Sequence, residues 1–374
     1  MDISKQEGGT AAMSGLPSVE SQANESTSWH PSGLTDQSID TCSSADFQAF
    51  AVAAFRRQSA FAVANTAFWA HRLNKFGAEL ERIETLKDLS LLPVMIKSEH
   101  RQLSPWELVP RISRDRLHLC RSTSGTTGTP TSSFWTLADL RAIAQTIVRL
   151  LKMQRPPMPI VALNGYHQGH LAAVMYDDVI RLLGGVTVPR HHSQDDESAT
   201  LERIKEFGCN TLILAHPSGQ AKKGRTVEDL LKYDPQFFAN CGIRWWIGSS
   251  DTFTSAIRAE AMRQGVLSVS NLYGSSDLGF LAVSCIVHPD EFHLAFGHAL
   301  IEITDGNGVP VGHGDRGRVV ATRLFSCDES GGTGPHQGSQ FIRFWNGDEA
   351  LFLANECECG IRRPRIKDIR KAPS

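Results

Sequence analysis

Between residues 158 and 272 short apolar runs alternate with amphipathic stretches, and this rhythm limits the possible folds more than any other feature. The apolar runs occupy 159–163, 186–188, 211–214, 244–247 and 267–272. Between them the spacing predicts helices over 170–184, 199–207, 226–239 and 254–264. Strands separated by helices of this length form βαβ units, so the expected fold class is α/β with a mainly parallel sheet and flanking helices.

The pattern changes after residue 279. Residues 280–285, 293–304, 317–324 and 340–353 read as strands joined by turns such as Asp305-Gly306-Asn307-Gly308. They predict a smaller antiparallel β subdomain over 279–370 beside an α/β core over 45–278. Residues 1–44 are rich in Ser, Thr, Gly, Gln and Glu and have no period, so they are expected to be a disordered leader. Helices are expected over 46–74. The Gly/Ser-rich stretch 326–339 is expected to be a mobile loop, and no internal repeat is visible.

Charge and apolar content exclude several functions. The net charge is −2, which gives no electrostatic attraction to nucleic acid or to an anionic membrane. No apolar run reaches the roughly 20 residues of a membrane span, and the N-terminus lacks the apolar core of a signal peptide. Eight cysteines without a secretory signal point to a reducing compartment, the cytoplasm. There, clustered Cys and His suggest metal ligation before disulfides.

The richest chemical signal is Ser122-Thr123-Ser124-Gly125-Thr126-Thr127-Gly128, which follows a short strand at 116–120. Gly125 and Gly128 let backbone N–H groups approach an anion, and the hydroxyls donate to phosphate oxygens. No lysine follows Gly128, so this is not the Walker pattern. A flexible Ser/Thr/Gly loop is the plain alternative.

Three further motifs accompany it. Tyr273-Gly274-Ser275-Ser276-Asp277 is a strand end turning into hydroxyls and a carboxylate, where an aromatic suits a base, a hydroxyl a phosphate and Asp277 a Mg²⁺ ion; a turn with an Asx cap is the alternative. Trp345-Asn346-Gly347-Asp348 offers a turn carboxylate able to accept both hydroxyls of a ribose; an ordinary β-turn Asp is the alternative. Cys285-x2-His288 and Cys357-x-Cys359-Gly360 supply a Cys₃His set suited to structural Zn²⁺, with no position left open for a catalytic water. Reduced cysteines on turns are the rival reading. Cys42, Cys120, Cys209, Cys241 and Cys327 have no such partners.

The order Leu92-Pro93-x3-Lys97, Ser124-Gly125-Thr126-Thr127-Gly128-x-Pro130, Tyr273-Gly274-Ser275-Ser276-Asp277, Asn346-Gly347-Asp348, Cys357-x-Cys359-Gly360-x3-Pro364-Arg365-Ile366 resembles the AMP-forming adenylating enzymes. Over residues 46–370 it is similar to their phenylacetate–CoA ligase-like branch. The resemblance implies the large N-terminal domain of an adenylate-forming enzyme, using ATP and Mg²⁺ to activate a small, aromatic or other carboxylic acid. It implies that Ser124, Gly125, Thr126, Thr127 and Gly128 hold the β and γ phosphates. It further implies that Tyr273, Gly274, Ser276 and Asp277 serve adenine, the α-phosphate and Mg²⁺. Asp348 and Arg365 would serve the ribose, Gly248 and Ser249 the adenine pocket, and Tyr166 and His167 the acyl pocket.

Thr129 stands where many relatives carry lysine, Ser276 and Asp277 replace Thr and Glu, and Ser250 stands where Glu is frequent. The resemblance also sets the expectation that the mobile C-terminal domain is absent, with CoA or a carrier reached through a separate domain. Two alternatives remain open: a diazotase-type enzyme that activates nitrite for an aryl amine, and a non-catalytic nucleotide-binding homologue. A homodimer is an admissible assembly.

Overall fold

The computed structural model describes residues 29–75, 80–122, 130–167, 169–190, 196–215, 226–249, 252–353 and 356–372. Along the chain the strands are β1 (Met95–Ile96), β2 (Leu117–Ser122), β3 (Ser132–Thr136), β4 (Val161–Asn164), β5 (Val186–Pro189), β6 (Thr211–Ile213), β7 (Trp245–Ser249) and β8 (Ser268–Ser275). They continue as β9 (Gly279–Ser284), β10 (Phe292–Leu294), β11 (Ala299–Thr304), β12 (Arg316–Arg323), β13 (Phe325–Cys327), β14 (Thr333–Pro335), β15 (Phe344–Leu353) and β16 (Arg365–Lys371).

Twelve of these strands form one sheet in the order β11-β12-β15-β16-β10-β9-β8-β7-β6-β4-β5, with β1 alongside β15. From β5 to β8 every pairing is parallel, and from β8 to β11 every pairing is antiparallel. The antiparallel strands therefore extend the parallel sheet through the β8–β9 hairpin instead of forming a detached sheet. The α/β class is as expected, with a more mixed sheet than the helix–strand rhythm implied.

Helix termini carry the local signals that set their bounds. Thr136 and Asp139 form a reciprocal capping box at the start of the helix Leu137–Lys152. Asp196 caps Glu197–Phe207, and Gly208, left-handed at φ 60°, ends it. The expected helix 226–239 is divided into Val227–Tyr233 and Phe237–Asn240. Pro235 lacks an N–H and forces Asp234 to the extended φ −133°, ψ 103°.

Three other expectations change. The strand predicted over 293–304 is broken into β10 and β11, because the Phe296 carbonyl accepts from Arg149 Nη2 at 2.6 Å and the His298 N–H donates to Thr146 Oγ1 at 3.1 Å. The stretch 326–339 contributes to the β13–β14 hairpin, and His336, Ser339 and Gln340 beyond it are buried. Gln340 accepts from Gln58 Nε2 at 2.5 Å, anchoring this segment to the helix Ser44–Asn65.

The ordered chain also starts before residue 45. Leu34, Ile39 and Asp40 are buried, and Asp40 pairs with the fully buried Arg149 at 2.7 Å. Removing either partner would strand a buried charge, at about 3–5 kcal/mol. Residues 1–28 lie outside the described residues.

Candidate functional site

The parallel strands β7 and β8 end side by side, with Ser249 opposite Leu272. Ligands gather at such carboxyl ends. Close backbone approach there dictates glycine at two positions. A Cβ on Gly248 would lie 2.5 Å from both the Leu214 carbonyl oxygen and Phe253, and one on Gly274 would lie 2.2 Å from the Gly279 carbonyl oxygen. The Gly274 contact coincides with the register irregularity in the β8–β9 pairing.

Tyr166 leaves β4 and is fixed onto Ser249. Its hydroxyl donates to the Ser249 carbonyl at 2.8 Å and accepts the Ser249 N–H at 2.7 Å. The Tyr166 hydroxyl is therefore committed, and its ring is buried 5.2 Å from that of Tyr176. His167 is exposed and accepts the Gly169 N–H on Nδ1 at 2.9 Å.

Tyr273, the next residue on β8, donates its hydroxyl to Asp348 Oδ2 at 2.9 Å across 75 positions of sequence. Asn346 Nδ2 donates to that same carboxylate oxygen at 2.9 Å and to the Tyr273 hydroxyl at 2.8 Å. Lys371 Nζ takes the other oxygen, Asp348 Oδ1, at 2.6 Å. Burial, then the Asp348 charge, push the Tyr273 phenol well above its ordinary value, so it remains a donor. The four groups form a nearly buried carboxylate with its acceptors already in use.

Asp277 lies on the turn after β8 and is fully buried. Its Oδ1 accepts from Thr131 Oγ1 at 3.2 Å and Ser133 Oγ at 3.1 Å. Its Oδ2 has no hydrogen-bond partner and faces Lys97 Nζ at 3.4 Å. The Asp277 carbonyl accepts from Arg323. That guanidinium is stacked 3.4 Å from the Trp135 ring centroid and 4.8 Å from that of Phe341, and burial lowers it to about 9. Ser276 stands half-buried on the same turn.

The hydroxyl-rich loop, with Ser124, Gly125, Thr126, Thr127 and Gly128, lies outside the described residues, as do Thr129 and Ser250. Its flanks are described. They form the antiparallel pair β2–β3, closed by the Ser122 and Ser132 hydroxyls at 2.8 Å. This hairpin carries Ser133 to Asp277.

Two expected residues are displaced. Arg365 does not approach Asp348. It donates to Glu291 at 2.7 Å, to Cys357 Sγ at 3.3 Å and to the Glu356 carbonyl at 2.8 Å. The residue of β16 opposite Asp348 is Lys371, and the strand separates the two cations by about 20 Å. His288 does not join the cysteines either. The group with ligand atoms within 4.8 Å of one another is Cys285, His293, Cys357 and Cys359.

The reason is register. His288 falls in the turn between β9 and β10, while His293 lies on β10 beside Arg365 of β16. Cys285 Sγ and Cys357 Sγ are 3.6 Å apart, and Cys359 Sγ lies 3.2 Å from His293 Nε2. The Val287 N–H donates to Cys285 Sγ at 3.3 Å. Hydrogen bonding from Cys359 above all pushes the Cys285 thiol below its ordinary value. All eight cysteines are free. Three soft sulfurs and one imidazole form a donor set for a tetrahedral metal.

Sequence inspection alone missed Lys371, Thr131, Ser133 and His293. The last carried one signal, its place on a predicted strand, but only the β10–β16 register brings it to the cysteines. Lys371 carried none.

No family model matches the chain. It is 24% identical over 326 residues to the phenylacetate–coenzyme A ligase of Thermus thermophilus, covering 84% of this chain and 67% of that protein. It is 25% identical over 295 residues to the phenylacetate–coenzyme A ligase of Escherichia coli, covering 76% of this chain and 65% of that protein. The chain thus spans about two thirds of the length of these curated relatives. In structure it matches an open conformation of 2-hydroxyisobutyryl-CoA ligase in complex with 2-HIB-AMP and CoA. The TM-score is 0.75 at 15% identity, over 89% of this chain and 76% of that one.

The fold is that of the AMP-forming adenylating enzymes. Within that class the chain resembles the phenylacetate–coenzyme A ligases, the branch indicated by the order of its motifs.

Proposed function

We propose that this protein is an ATP-dependent, AMP-forming ligase that activates a small carboxylic acid, with an aromatic acid the leading candidate. The observation that carries this reading is the meeting of Tyr273 with Asp348. It joins the strand-end motif to the turn carboxylate at the carboxyl edge of the parallel strands, where the adenine and ribose of a nucleotide would sit.

In this reading Gly248 and Ser249 face the adenine, Tyr273 borders it, and Asp348 accepts the ribose hydroxyls. Ser124, Gly125, Thr126, Thr127 and Gly128 hold the outer phosphates, and Ser276 meets the α-phosphate. Tyr166 presents its ring to the acid, with His167 at the mouth of that pocket. A carboxylate oxygen of the acid attacks the α-phosphorus, the bond to the β-phosphate oxygen breaks, and pyrophosphate leaves. The product is the acyl adenylate. Positioning and fixed donors supply the rate.

Asp277 Oδ2 accepts no hydrogen bond and has only the Lys97 ammonium at 3.4 Å beside it; Mg²⁺ bound there in place of that contact would neutralise charge on the phosphates. Coenzyme A, as in the relatives, is the proposed acceptor: its thiolate would displace AMP from the adenylate. The Cys285, His293, Cys357 and Cys359 cluster is proposed to hold structural Zn²⁺. Tetrahedral zinc with Zn–S near 2.3 Å spaces its sulfurs by about 3.8 Å, close to the 3.6 Å between Cys285 and Cys357.

The test is pyrophosphate release from ATP with a panel of carboxylic acids including phenylacetate, followed by mass spectrometry of acyl-CoA after CoA is added. Parallel reactions with nitrite and an aryl amine check the diazotase alternative. Acid-dependent release is expected. ATP binding without turnover by any acceptor would leave a non-catalytic nucleotide-binding protein, and no affinity for adenine nucleotides would overturn the reading.

A further inference from the structure

Arg363 is a buried cation without a matching anion. It is 2% exposed, and its guanidinium lies 4.0 Å from the Phe47 ring centroid. Nη2 donates to the Cys42 carbonyl at 2.8 Å, and Nε has no hydrogen-bond partner. Among the described residues no carboxylate pairs with it. Asp40, whose charge it feels, is committed to Arg149. Burial accordingly pushes the guanidinium down from its ordinary value. A buried charge left unpaired is costly and calls for a counter-ion.

Arg363 also lines a cavity of about 180 Å³ whose walls include Phe47, Leu294, Phe296, Leu300, Ile303 and Phe352. An apolar cavity of about 150 Å³ is large enough for a benzene-sized molecule. Glu302 reaches the same cavity, but Arg343 holds it at 2.9 Å. None of the lining residues is Tyr166, Tyr273, Asp277 or Asp348.

We propose that this cavity is a second ligand site, which takes a small monoanion with a hydrophobic body, an aliphatic or aromatic carboxylate, with its head group on Arg363. A neutral apolar molecule would satisfy the walls and leave the guanidinium unpaired. Lys87, the other cation on the cavity, is exposed and screened by solvent, so a phosphorylated ligand would place more charge against the aromatic walls than the buried guanidinium balances. The site is independent of the nucleotide-binding residues and does not rest on the proposed ligase activity.

The experiment is methyl NMR on the full chain, following Leu294, Leu300, Ile301 and Ile303 while hexanoate or 1-hexanol is titrated. Saturable shifts are expected with hexanoate, with 1-hexanol binding about tenfold more weakly. Leu300→Trp, which fills the cavity, should abolish the shifts. Arg363→Met should bring the two ligands to similar affinity. The wild-type comparison needs no variant, so it decides the matter even where a substitution impairs folding. Absence of saturable shifts, or equal affinity for acid and alcohol in the wild type, would overturn the proposal.

Discussion

Lys371 Nζ lies 2.6 Å from Asp348 Oδ1, on the carboxylate that the proposed nucleotide site reserves for ribose. The Ala372 N–H also donates to the Gly347 carbonyl at 3.0 Å, which clips the end of β16 onto the turn. A ribose diol must therefore compete with Lys371 for its acceptor. Lys371 is 64% exposed, so solvent screens the pair and its strength is modest. Lys371→Met should tighten ATP binding about two- to fivefold in calorimetry, whereas Asp348→Ala should weaken it by about tenfold or more. If Asp348→Ala has no effect, the ribose assignment falls. If only Lys371→Met has none, the competition falls and the assignment stands.

The fourth ligand of the cysteine cluster can be identified by metal content. His293→Ala should lose most of the zinc found in the wild type, expected at about one ion per chain. His288→Ala should retain it, because His288 sits in the turn outside the group. Plasma emission spectrometry of the three purified proteins reads this directly. Zinc lost from His288→Ala and kept by His293→Ala would reverse the assignment.

His298 should make the fold acid-sensitive. Burial first, then the Arg323 and Arg149 charges, depress it to about 3. The unfolded chain takes up this proton near pH 6.5, but the folded chain does so only near 3. Its contribution to stability is therefore complete above pH 6.5 and declines as pH falls toward 3. At pH 5 the loss is about 2 kcal/mol. Burial depresses His336 in the same direction, so it adds to the slope. Urea unfolding at pH 7 and pH 5 should show a smaller loss for His298→Leu than for the wild type; equal losses would refute the assignment.

Gly274→Ala should destabilise the protein by about 1–3 kcal/mol. Its new methyl would meet the Gly279 carbonyl oxygen at 2.2 Å and Phe280 Cα at 2.8 Å, both backbone atoms that cannot rotate away. Gly306→Ala is the control, since its nearest neighbour is the Arg318 side chain at 3.8 Å. A Gly274→Ala variant as stable as Gly306→Ala in urea would show that β8 and β9 can separate without penalty.

The α/β rhythm was legible because strand and helix periods are local properties. The runs predicted at 211–214 and 244–247 became β6 and β7 with small shifts of boundary. Sequence could not show that β16 would pair with β10 and carry the sheet on from β9, because that pairing joins strands distant in the chain. Likewise, Arg365 and Lys371 are both cations on one strand. Only the register of β16 against β15 puts Lys371, and not Arg365, on Asp348.

The sequence by itself determined the helix caps, the alternation of elements and the motifs that resemble adenylating enzymes, because hydrogen bonding within a few residues and apolar periodicity are written locally. Tertiary structure alone decided that His293 replaces His288, that Asp40 is buried against Arg149 and that Arg363 borders an apolar cavity. Those outcomes follow from the burial and pairing of groups far apart in the chain, whose energies exist only once the sheet has assembled.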